Sequence, residues 1–82
     1  MPMITLKDYS DEQLLGRFGR SMTRLFRLRA INAPTAIIEK EETINADYLA
    51  ECRRRGFTDQ QLKDAADAAF EEDQAQNGKE GN

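Results

Sequence analysis

The sequence predicts an all-α fold: an antiparallel helical hairpin, a third shorter helix packed on it, and a flexible C-terminal tail. Three observations predict this. The stretches YSDEQL (residues 9–14) and FTDQQL (57–62) carry the same helix-start signal. Helical periodicity breaks at Asn32-Ala33-Pro34 and resumes beyond it. Gly56 follows three arginines in a row, Arg53, Arg54 and Arg55. At 82 residues the chain is expected to form one small domain over residues 1–73, with 74–82 as the tail. Leu, Ala, Arg and Glu are abundant and favour helix, while glycine (5) and proline (2) are few.

The first helix is expected over about residues 10–30. Ser10 is a good N-cap, Gln13 completes a capping box, and Tyr9 and Leu14 are placed for a hydrophobic staple. On a helical wheel Leu14, Leu15, Phe18, Met22, Leu25, Phe26 and Leu28 share one arc. Arg17, Arg20, Arg24 and Arg27 form a stripe on the opposite side. Gly16 and Gly19 lie on the flank between, where the approach of another backbone would explain them. Arg29 is the exception, projecting toward the apolar arc.

Pro34 suits the first turn of a second helix, expected over 34–55, with Asn32 or Ala33 as its cap region. Ile37, Ile44, Tyr48 and Cys52 share a face there, broadened by Ile38 and Leu49. Glu41 falls in the middle of that face, and the short turn would let it meet Arg29. Gly56 stops the helix, and the three arginines before it suit the negative helix end. The third helix is expected over 58–73. Thr58 is its cap, Gln61 its box partner, and Phe57 and Leu62 its staple. Its apolar side is Leu62, Ala65, Ala66, Ala69 and Phe70. The connection at residues 31–34 is short, so the first two helices must be antiparallel neighbours.

Composition excludes much chemistry. The chain has no histidine, so the usual general base and the commonest metal ligand are missing. Cys52 is the single cysteine and reads as a small buried hydrophobe in a reducing compartment. Glu39, Glu41 and Glu42 point different ways on a helix and form no metal cluster. No phosphate-binding glycine loop appears. The reading is of a non-enzyme with no cofactor and no metal. No apolar run is long enough to span a membrane, and residues 1–10 are too short and polar for a signal peptide, so a cytoplasmic protein is expected.

The net charge of −3 conceals a segregation. Residues 1–30 hold six bases and three acids; residues 31–82 hold six bases and twelve acids. An acidic chain is a poor non-specific nucleic-acid binder. The stripe Arg17, Arg20, Arg24, Arg27 has two readings: a solvated face, or a surface for carboxylate or phosphate. Glu41 likewise reads as an ion pair with Arg29 or as a group offered to a partner. Self-association through the hairpin stripe is a further expectation to test.

Arg24, Leu25, Arg27, Leu28, Ala33, Pro34, Ile37 and Glu41 together resemble the clamp-helix hairpin of the bacterial RNA polymerase β′ subunit. There a helix ending Arg-Leu-x-Arg-Leu enters an Ala-Pro turn, and a glutamate follows seven residues after the proline. The match runs without gaps over residues 14–52, and Arg17 aligns as well. In that family the hairpin docks region 2 of the sigma factor. The resemblance implies a small free-standing mimic, of phage or mobile-element origin and acting in a bacterial host, that binds a sigma factor and modulates transcription. Arg17, Arg20, Arg24, Arg27 and Glu41 would be the partner-binding residues. Ser21, Glu39 and Thr43 depart from the family, each standing where it has a basic residue, so the sigma-facing surface differs there. The alternative is a phage-derived helical inhibitor or adaptor of another host complex, such as a CRISPR effector or a nuclease.

Overall fold

The computed structural model describes the backbone of residues 5–80 and the side chains of residues 5–76. Among them the order is a single 3-10 turn at Leu6–Asp8, then α1 (Asp11–Ala30), α2 (Thr35–Arg54) and α3 (Asp59–Glu80). The class is all-α. α1 is the central element and packs on both α2 and α3.

Both capping boxes form. Ser10 Oγ accepts from the Gln13 amide at 3.1 Å, and Gln13 Oε1 accepts from the Ser10 amide at 3.0 Å. Thr58 and Gln61 repeat the exchange at 3.1 and 2.8 Å. Each box satisfies donors that a helix start otherwise leaves open.

The two helix ends are also alike. Gly56 takes the left-handed conformation at φ 86°, its amide bonds to Arg53 O at 3.0 Å, and Phe57 N bonds to Cys52 O at 3.1 Å. At the end of α1 the same pair of bonds runs from Asn32 N to Arg29 O (3.2 Å) and from Ala33 N to Leu28 O (2.9 Å). Asn32 sits at φ 54°. Each is a Schellman closure, with asparagine serving where glycine usually does. This corrects the sequence reading, which placed Asn32 or Ala33 in the cap region of the second helix and Pro34 in its first turn. Asn32 instead ends the first, and Pro34 is the N-cap of α2. α3 runs on to Glu80, past the Asp73 expected from its apolar pattern. Of the tail expected over 74–82, residues 81–82 lie outside the described residues.

The main core cluster sits at one end of the bundle, and Leu25, also buried, lies farther along α1. Leu14 and Cys52 are fully buried, and Phe18 and Leu62 nearly so. Tyr9, Leu15, Tyr48, Leu49 and Phe57 pack around them. These residues come from the start of α1, the end of α2 and the start of α3. At the opposite end the apolar arc is less covered than its periodicity implies: Phe26 is 61% exposed and Met22 is 39% exposed. The reason is the central place of α1. Packing between two helices uses two of its faces, and the α3-facing one runs through Gly19 and Thr23 on the flank of the arc. A Cβ on Gly19 would collide with the Ala65 carbonyl, so the two backbones come together there. Gly16 lacks such a neighbour and meets only the Arg20 side chain. Phe26 instead stands edge-on against Phe70, ring centroids 5.6 Å apart.

Candidate functional site

A cleft of about 350 Å³ opens between α1 and α2, lined by Arg17, Arg20, Ser21, Arg24, Glu41 and their neighbours Ile44 and Tyr48. It gathers four of the five residues the sequence singled out. The fifth, Arg27, turns to the other side of α1 and pairs with Asp73 of α3 at 3.1 Å. Two turns of α1 place Arg17, Arg20 and Arg24 in a row, because positions three and four apart share a helix face.

Glu41 forms the inner wall. It is 8% exposed, because its position on the apolar face of α2 turns it toward α1. Its Oε1 accepts from Ser21 Oγ at 3.2 Å, and Ser21 Oγ accepts from Asn45 Nδ2 at 3.3 Å. This small network satisfies a polar group that would be costly to bury alone. Arg24 Nη1 lies 3.9 Å from Glu41 Oε2, beyond hydrogen-bond range. The expected Glu41–Arg29 pair does not form. Arg29 bonds Glu42 at 2.9 Å, because the next helical position, not Glu41, lies at the seam Arg29 reaches.

The eight arginines divide into two groups. Arg27, Arg29, Arg53, Arg54 and Arg55 each reach a carboxylate at 3.4 Å or less. The three cleft arginines do not. Arg17 stacks over the Tyr9 ring at 4.4 Å, and Arg20 Nε donates to Gly16 O at 3.3 Å. Neither has a carboxylate partner among the described residues. The cleft is thus a local excess of positive charge on an acidic chain.

A second cluster escaped the sequence reading. Glu51 is 7% exposed and accepts from Arg54 Nε at 2.8 Å and Arg55 Nε at 2.9 Å. The hydrogen bonds from Arg54 and then Arg55 lower its pKa to about 2. Arg55 also donates to Asp11 at 2.9 Å and to the Leu6 carbonyl at 3.0 Å, tying the chain start to the end of α2. The signal was present as Glu51 three and four residues before two arginines. Burial pushes the Cys52 thiol up, so it packs as a neutral side chain.

Among the described residues no set of three or more His, Cys, Asp or Glu gathers as metal ligands, and no helix is long and apolar enough to cross a membrane. Comparison with known proteins returns no matching family model, curated relative or solved structure.

Proposed function

We propose that this protein is a small, non-enzymatic protein-binding regulator whose α1–α2 cleft takes an acidic surface of its partner. The observation that supports this is the division among the arginines: five reach carboxylates of the chain at 3.4 Å or less, and the three in the cleft have no carboxylate that close. Guanidinium groups pair carboxylates through two parallel bonds and are enriched at interfaces. The resemblance to the clamp-helix hairpin makes region 2 of a sigma factor the first partner to test, with transcription as the process modulated. Arg17, Arg20 and Arg24 make the contacts, Glu41 acts from behind them, and Arg27 contributes through α3. Tagged protein added to a bacterial lysate should retain a sigma factor free of core polymerase. Recovery of sigma only with core, or not at all, removes the mimicry reading.

The second reading, a phage-derived adaptor or inhibitor of another host complex, is favoured by one observation. Met22, Phe26 and Phe70 line an apolar cleft of about 370 Å³ on the α1–α3 side, which the clamp resemblance leaves unused.

A further inference from the structure

We propose that two copies of this chain associate face to face through a groove between α1 and α3, with Arg20 and Arg24 of each copy reaching Asp64 and Glu72 of the other. The groove is distinct from the apolar cleft lined by Met22, Phe26 and Phe70.

Shape and charge carry the proposal. The groove has a volume of about 450 Å³ and a floor of small residues, Gly16, Ala65 and Ala68 among them. Asp64 and Glu72 line it from α3, and both are exposed. Asp64 accepts a hydrogen bond from the Gln60 amide at 2.8 Å, and neither acid has an ion-pair partner among the described residues. Arg20 lines both this groove and the α1–α2 cleft, so it stands on the ridge of α1 between them. Arg24 continues that ridge one turn on, its side chain 71% exposed and 3.9 Å from Glu41. An exposed basic ridge thus runs beside an exposed acidic flank, and the two do not neutralise each other within the chain.

Register makes this face self-complementary. Gly19 meets Ala65 and Arg27 meets Asp73, so α1 and α3 run parallel, with Arg20 level with Ala66 and Arg24 level with Phe70. Asp64 and Glu72 are each two residues from those levels, about 3 Å along the axis. A two-fold axis running across the helices would lay α1 on α1, arginine against arginine. An axis along the helices instead lays the ridge of each copy over the groove of the other and keeps every residue at its own height. Arg20 then faces Asp64 and Arg24 faces Glu72, and the symmetry makes each pairing twice. Like charges exclude the first arrangement and opposite charges favour the second. The second copy and an acidic partner compete for Arg24, and this consequence alone rests on the α1–α2 cleft being a binding surface.

Sedimentation equilibrium of the full chain tests the proposal, with helix content followed by circular dichroism. The wild type should dimerise at or below about 1 mM, as a weak interface does. Arg24→Glu and Glu72→Arg each reverse one member of two symmetric pairs and should weaken dimerisation at least about tenfold. The double variant pairs the same charges in the opposite sense and should recover the wild-type constant, a rescue that a merely structural role would not give. If Arg24→Glu loses helix content, Arg20→Glu and Asp64→Arg, alone and combined, repeat the test farther from Glu41. A wild type that stays monomeric at about 1 mM overturns the proposal. So do single reversals that leave dimerisation unchanged, or a double variant no better than either single. Loss of the dimer in Phe26→Ser but not in Arg24→Glu would place the second copy on the apolar cleft and overturn it too. None of these outcomes depends on whether a sigma factor binds.

Discussion

Buried carboxylates dominate the residue scale, and they behave differently. Glu51 is gripped by two guanidiniums, whereas Glu41 is held by a hydroxyl. The effect of pH follows from the first. Glu51 titrates at about 2 in the folded chain, below its ordinary 4.5, because hydrogen bonds from Arg54 and Arg55 favour the charged form. The unfolded chain therefore takes up this proton at higher pH than the folded one. The stability Glu51 contributes is complete above about pH 5 and is lost as pH falls toward 2. Glu51→Gln should lower the melting temperature at neutral pH, and the gap to the wild type should close as pH falls through that window. A gap that stays constant from pH 7 to pH 2 would mean that the charge of Glu51 contributes nothing. At this scale Glu41 was found from the sequence because it broke an apolar face. Its partner was not, since Glu41 and Glu42 are neighbours and a one-residue rotation decides which meets Arg29.

For the elements, the two glycines of α1 separate helix propensity from packing. Each should cost about 1 kcal/mol relative to alanine within an isolated helix. Gly19 faces the backbone of Ala65, where a methyl group has no space. Gly16 faces only the end of the Arg20 side chain at 3.3 Å, which can move. Gly19→Ala should therefore destabilise the protein by about 1–3 kcal/mol despite its better propensity. Gly16→Ala should be neutral or stabilising by up to about 1 kcal/mol. Urea denaturation of the two variants reads the difference, and equal effects would refute the close approach of α1 and α3. The helix starts were legible because a capping box is a local sequence device. The end of α1 was less so: Asn32 in a left-handed closure competes with the stronger local signal of Pro34. The second packing face of α1 was illegible for a different reason. Gly19 and Thr23 are small or polar, and only the presence of a third helix makes that flank an interior.

Across the whole molecule, the largest buried cluster and the most exposed apolar side chains lie apart, although Leu25 is buried beside the exposed Phe26. The buried cluster of Leu14, Phe18, Cys52 and Leu62 joins all three helices near the first capping box. Phe26, Ile31 and Ile37 lie exposed near the α1–α2 turn. Leu14→Ala should cost about 2–5 kcal/mol, a large share of what so small a domain holds. Ile31→Ala, 72% exposed in the wild type, should stay within about 0.5 kcal/mol. Comparable losses in the two variants would show that the core extends to the turn. Charge is divided in the same way, with the arginine cleft on the α2 side of α1 and the acidic helix α3 on the other. The sequence carried this division as a count of charges per half, but not that α3 would claim Arg27 and leave the other three. The most direct measurement is titration of a purified sigma factor region 2 against the wild type, Arg24→Glu and Arg27→Glu, with helix content checked by circular dichroism. The expected result is binding by the wild type, a loss of at least about tenfold in Arg24→Glu, and a smaller loss in Arg27→Glu. No binding by the wild type, or equal binding by all three chains, would contradict the assignment of the cleft as a sigma-binding surface.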